Sequence, residues 1–168
     1  MAAISWSDLD SNLKPAPSWR FIVTFPSIPN SKISGQTLQF LVERFTASHK
    51  GIEYEPAVFA GSSRHFAVGF AVDALNMVLA ETLSYDVVKA FRSWMDIVID
   101  ADGNYGLPAK YKKTIRLQPL TEGDDTAVTF AWSGCSPQRI EGYDYDGSQT
   151  NHIQSTITMS VDTAIAPE

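Results

Sequence analysis

The residues able to do chemistry in this chain stand apart from one another. His49, His65 and His152 occur singly, without the H-x-H or H-E-x-x-H spacing that would bring two imidazoles onto one metal. "DADGNYG", from Asp100 to Gly106, begins like a calcium loop. An EF-hand starting at Asp100 needs glycine at its sixth position and Glu at its twelfth, where this chain has Tyr105 and Tyr111. A turn leading from a helix into a strand accounts for it better. "GSSRH" (61–65) and "SGCSP" (133–137) lack the spacing of a nucleophile elbow, and there is no phosphate-cradling G-x-x-x-x-G-K. Asp144 and Asp146 place two carboxylates together in "DYD", a pattern open to acid and base work, but in so polar a turn they read as solvated. Cys135, the single cysteine, has no second thiol for a disulfide or a zinc site and reads as a buried structural residue. Neither catalysis nor a bound cofactor or metal is expected.

The bulk numbers describe a scaffold. At 168 residues, 44% hydrophobic and 19% charged, the chain reads as one globular domain over 1–168 that buries roughly 70% of the surface its unfolded form exposes. Its opening residues lack the basic and apolar regions of a secretory signal, and no apolar run approaches the ~20 residues of a membrane span, so no membrane anchor is expected. Net charge is −6: residues 1–50 carry five basic and three acidic groups (+2), and residues 51–168 carry eight and sixteen (−8). That balance disfavours a grip on nucleic acid, which needs clustered Lys and Arg to release counterions.

The elements that would position any site are mostly strands. Residues 1–13 suggest a short helix with Trp6, Leu9 and Leu13 at helical spacing, inside an N-terminal arm over 1–19 that "KPAPSW" ends. "RFIVTF" (20–25) and "TLQFLVERFTA" (37–47) read as strands, rich in aromatic and branched residues. "FAVGFAVDALN" (66–76) alternates bulky residues with Ala67, Gly69, Ala71 and Asp73, and a face so bare means either that something approaches closely or only that a neighbouring residue is large. Residues 83–99 form the one long helix expected. Ser84 would cap it, Asp86 suits its positive end, and Val87, Val88, Phe91, Trp94, Met95 and Val98 form an apolar stripe. Strands follow at 114–120 and 127–134. "NHIQSTITMSV" (151–161) then alternates with a period of two, Ile153, Ile157, Met159 and Val161 against Gln154, Thr156, Thr158 and Ser160. Its wet face holds hydroxyls and amides and no charge.

Residues 48–66 read as a long irregular loop, which within a compact domain is a functional element. Its Ile52, Tyr54, Val58 and Phe59 would be poorly placed in water on a monomer. The loop is therefore expected to contact a partner.

The order of these pieces resembles the tail tube proteins of contractile-tailed bacteriophages, relatives of secretion-system and bacteriocin tubes. The resemblance covers about three quarters of the chain, from "TLQFLVERFTA" through "HFAVGFAVDAL", "VVKAFRSWMDIV" and "PAKYKKTIRLQPL" to "AVTFAWSGCSPQRIEGYDYDGSQTNHIQSTITMSVD". Within it stand an aromatic-Lys-Lys entry (Tyr111, Lys112, Lys113), then Gly134, Pro137, Ile140 and "GYDYD". The resemblance implies a mainly β (α+β) fold, an antiparallel β-sandwich or barrel with one flanking helix. It also implies hexameric rings, each copy lending four strands to a continuous inner β-barrel, stacked into a tube through which DNA passes.

The geometry of such a barrel is self-consistent. About twenty-four strands ~4.8 Å apart and tilted ~40° enclose a bore of roughly 48 Å backbone diameter, too wide for side chains to fill. On this reading the 48–66 loop reaches the next subunit or ring, burying Ile52, Tyr54, Val58 and Phe59. Gln154, Thr156, Thr158 and Ser160 line the bore, and the acidic excess helps it repel phosphate. The implied partners are further copies of the chain, a tail sheath protein, a baseplate or tube initiator, a tail terminator and a tape measure protein; DNA transits without specific binding. The implied location is the virion, after synthesis in the bacterial host cytoplasm. The rival readings are a tube protein of a contractile secretion or bacteriocin system, a baseplate tube initiator, or a lipocalin-like carrier, the last of which would need an apolar cavity.

Overall fold

The computed structural model describes residues 20–28, 31–48, 51–59, 61–121, 128–141, 143 and 152–167. The expected arm and helix within 1–19, His49 and the Asp144/Asp146 pair lie outside them.

The chain order is β1 (Phe21–Thr24), α1 (Gly35–Leu41), β2 (Val42–Thr46), β3 (Gly51–Phe59), β4 (Ser62–Ala71), β5 (Leu75–Ala80), α2 (Asp86–Val98), α3 (Pro108–Tyr111), β6 (Lys113–Pro119), β7 (Phe130–Ile140), β8 (Gln154–Ser160) and β9 (Thr163–Ile165). The fold is mainly β, and every strand pairing is antiparallel. One sheet runs β1-β6-β7-β8-β5-β2, with β9 also on β7; β3 and β4 form a separate two-stranded sheet. Among the described residues the larger sheet does not close into a barrel.

β7 belongs to both halves of that sheet. Its first residues pair with β6 and β9, whereas Ser136 to Ile140 pair with β8. The change of direction falls at Gly134, where φ is +69° and a Cβ would lie 2.2 Å from Asp162 Oδ2. Only glycine takes that bend without strain. Lys112 holds Asp162 in place with contacts of 2.7 and 2.6 Å to its two oxygens. Tyr111, the residue before it, accepts the Trp94 indole N–H on its carbonyl at 2.7 Å. The Tyr111–Lys113 stretch thus ties α2 to the bend and then opens β6 at Lys113.

α2 covers the inner face of the sheet. Val87, Ala90, Phe91 and Trp94 are buried on it, against Val23, Leu75, Met77, Leu79, Ile115, Trp132, Ile157 and Met159 from five strands. Phe91 meets Phe25 edge-on and lies nearly parallel to Trp94. Burial of this cluster supplies most of the driving force for the fold, at about 25 cal/mol per Å² of apolar surface removed from water.

Three expectations need correction. Residues 37–47 are not one strand: α1 precedes β2 because Ser34 accepts Thr37 N–H at 3.1 Å and Leu38 and Leu41 share a helical face turned to the core. Gly35 permits that start, since a Cβ there would meet Phe25 O at 2.8 Å. The 66–76 strand is interrupted at 72–74; a Cβ at Gly69 would meet nothing of this chain within 4 Å, which leaves that position open. The long helix begins at Asp86, and Ser84 does not cap it; the Ser84 carbonyl instead accepts from the Lys89 ammonium. The cap comes from Glu81, whose carboxylate accepts Val87 N–H at 2.9 Å and Val88 N–H at 3.2 Å, and from Thr82 Oγ1, which accepts Asp86 N–H at 3.0 Å.

Candidate assembly interface

The irregular loop expected over 48–66 is a β-hairpin. β3 and β4 pair from Gly51↔Ala71 to Phe59↔Ser62, with Gly61 (φ +78°) in the turn. Pro56 inside the segment and a bulge opposite Glu53 and Tyr54 hide its period-two pattern. The signal that could have found it is a glycine turn flanked by the alternating Ile52 and Tyr54 and, beyond Pro56, Val58. Ser48 secures the base of the hairpin: its carbonyl accepts the Trp132 indole N–H at 2.9 Å, and its hydroxyl accepts Asp73 N–H at 2.9 Å.

Residues paired across an antiparallel ladder project to the same face. One face of the hairpin therefore gathers Ile52, Tyr54, Pro56 and Val58 from β3 with Phe70, Ala67 and His65 from β4. Ile52 is 52% exposed, Tyr54 55%, Val58 76% and Phe70 71%. Of the four expected contact residues, three stand together on this face. Phe59 pairs with Ser62 at the tip, and its side chain lies outside the described residues.

The second candidate surface is the outer face of β2-β5-β8-β7. Gln154, Thr156, Thr158 and Ser160 alternate with buried Ser155, Ile157 and Met159, so the structure brings all four wet-face candidates to one side. Two cross-strand rows extend that side: Thr46, Asn76, Thr158 and Arg139, then Arg44, Val78 and Thr156, with Glu141 N–H donating to Thr156 O at 2.9 Å. Thr158 donates to Asn76 Oδ1 at 2.9 Å, and Gln154 donates to Glu43 Oε2 at 2.5 Å, where His152 also meets Glu43. Among the described residues of this face, Arg44 and Arg139 stand with Glu43 and Glu141. Sequence reasoning missed the contributions of β2 and β5, because no motif in β8 reveals which strands lie beside it.

Chemistry of the catalytic kind is not assembled among the described residues. No group of three His, Cys, Asp or Glu side chains that could hold a metal occurs there. Cys135 is fully buried and donates to Trp132 O at 3.2 Å; burial pushes its thiol pKa up to about 11. Glu81 is the most heavily bonded carboxylate among the described residues. Burial would raise its pKa, but the hydroxyls of Ser155 and Tyr143 and the N–H groups of Val87 and Thr82 outweigh that and hold it below the usual value. The role of these bonds is to seat α2.

No family model matches the sequence, and no curated protein matches it either. Solved structures do. A chain in the anti-feeding prophage cap, a tube-terminating cap, superposes with a TM-score of 0.66 at 14% identity, covering 95% of each chain. The chain has the tube fold of contractile injection systems. A chain of the six-fold symmetrised anti-feeding prophage baseplate follows at TM-score 0.63 and 16% identity, over 90% of this chain and 94% of that one. A chain of the PVC sheath–tube complex of an extracellular contractile injection system gives 0.56 at 16% identity, over 97% of each. The hairpin and the four-stranded outer face are both exposed among the described residues. No helix among the described residues is long and apolar enough to cross a membrane.

Proposed function

We propose that this protein is a structural subunit of a hollow tube, with copies closing into a ring of six and rings stacking head to tail. The observation that carries the reading is the apolar hairpin face, on which Ile52, Tyr54 and Val58 stand together and exposed. Stacking would remove these three side chains from water. Head-to-tail contact between unlike surfaces is heterologous and repeats into a filament.

Strand parity supports ring closure. The run β2-β5-β8-β7 is antiparallel and has four members, so rotated copies set side by side bring β2 of one against β7 of the next in antiparallel sense. Both outer edges lack a strand partner among the described residues, β2 along its length and β7 from Ser136 to Ile140. Closure would remove two edges that otherwise invite uncontrolled pairing. The face carrying Gln154, Thr156, Thr158 and Ser160 then lines the bore, polar and evenly charged, and so offers passing cargo no grip. The finer reading is a phage tail tube that conducts DNA from capsid to host, placed in the virion and working with sheath, baseplate or initiator, terminator and tape measure proteins. The tube of a contractile secretion or bacteriocin system fits the same geometry.

A second reading is a tube-ending cap, favoured by the higher TM-score to the cap than to the sheath–tube complex. Negative-stain microscopy of the purified chain, with sedimentation across a concentration series, separates the two. Lengthening tubes support the repeating subunit, and single rings that do not grow support the cap. A monomer at every concentration, even with preformed tube ends added, overturns both.

A further inference from the structure

We infer that the loop following α2 is a docking site for a basic segment of another protein, anchored by apolar side chains. Ile99, Tyr105 and Leu107 are 46%, 83% and 65% exposed. Ile99 and Tyr105 are bridge partners, and Leu107 stands two residues on in the same extended stretch, so the three share a face. That places three large apolar side chains in water on one short segment.

The segment is built to hold them there. Asp100 Oδ1 accepts Asn104 N–H at 2.8 Å and Asp102 N–H at 3.0 Å, and Asp100 N–H donates to Asn104 O at 3.1 Å. Gly103 turns at φ +83°. Gly106 N–H donates to Val98 O at 2.9 Å, and a Cβ at Gly106 would lie 1.9 Å from Ile97 O, so the loop is drawn tightly onto the end of α2. A loop fixed in this way loses little conformational entropy on binding.

Charge selects the partner. Asp96, Asp100 and Asp102 are exposed around the patch, and no Lys or Arg occurs between Arg92 and Lys110. The Asp100 bonds to Asn104 hold its carboxyl below the usual value, so it stays ionised. A Lys- or Arg-bearing segment with apolar residues fits both features.

The test uses two labelled synthetic peptides, one alternating leucine with lysine and one alternating leucine with glutamate, titrated by fluorescence anisotropy. The full chain serves whether it sediments as monomer or ring, so the outcome is separable from that of the assembly reading. The lysine peptide is expected to bind, to weaken as salt rises, and to lose more than tenfold in affinity with Tyr105→Ser and with Leu107→Ser. Phe40→Ser, at an exposed aromatic elsewhere, leaves binding unchanged. Circular dichroism confirms that each variant is folded. Absence of lysine-peptide binding, equal binding of both peptides, or unchanged affinity in the Tyr105 and Leu107 variants overturns the inference.

Discussion

Ser155 donates its hydroxyl to Glu81 Oε2 at 2.7 Å from a strand face whose neighbours, Ile157 and Met159, are apolar and buried. The same carboxylate oxygen takes Tyr143 Oη at 3.0 Å, and Glu81 as a whole caps α2. One acidic side chain therefore joins β8, the N-terminus of the main helix and the connection after β7. A hydroxyl on an otherwise apolar strand face is tolerated because it has a charged acceptor.

Glu81→Gln is expected to destabilise the chain by about 1–2 kcal/mol at neutral pH, through loss of a helix cap and weakening of its hydroxyl bonds. The carboxyl is held below its ordinary value in the folded state. Its stabilisation is thus complete above the unfolded carboxylate pKa of ~4.3 and is lost as pH falls through the lower folded value. Thermal melts of the two proteins should be well separated at pH 7 and converge below about pH 4. A constant separation across that range would place the effect elsewhere.

Gly134→Ala is expected to cost about 2 kcal/mol or more, since alanine must adopt φ +69° and meet the Asp162 side chain. For a chain of this size that is a fall in Tm of roughly 5 °C. Removing the obstacle in Gly134→Ala/Asp162→Ala recovers the steric part and leaves the backbone part. Differential scanning calorimetry of the single and double variants separates the two; a wild-type melt for Gly134→Ala would mean that β7 bends without a left-handed residue.

Cys135 should resist a thiol-reactive disulfide reagent at pH 8 while the chain is folded and react within the mixing time once guanidinium unfolds it. Burial raises its pKa to about 11, against about 8.5 in an unfolded chain, so little thiolate exists in the native state. Rapid reaction without denaturant would show that the site opens locally.

The parts of the fold that were legible in the sequence are those whose period is set by one buried face. β8 alternates because α2 and the core lie on one side of it and water on the other, and the stripe of α2 repeats for the same reason. The ends of α2 were not legible, because its cap is borrowed from Glu81 and Thr82 before a left-handed Tyr85 and not from the serine next to the helix. α1 was hidden by aromatic residues that score as strand formers, although Phe40 points to water and Leu38 alone is fully buried. The hairpin was hidden because both of its faces are largely exposed among the described residues, so no burial pattern distinguishes it from a loop. Pairing of β8 with β5 and of β5 with β2 is long-range and leaves no local trace, which is why the wet face was found as one strand and not as four.

The hairpin gives the sharpest test of assembly. Val58 is 76% exposed and Tyr54 55%, and both lie on the face shared with Phe70. Both lie on the exposed hairpin and outside the buried core, so replacing either with Asp loses at most cross-strand contacts, and each variant is expected to melt within about 1 kcal/mol of the wild type. If that face is covered on stacking, the same substitution buries an unpaired carboxylate at a subunit contact, and the penalty of several kcal/mol repeats at every copy around the ring. Sedimentation velocity should then show Val58→Asp and Tyr54→Asp at the size of single rings or monomers under conditions where the wild type forms long particles. Wild-type particles from both variants would remove the hairpin from the interface while leaving the ring-forming sheet edges untouched.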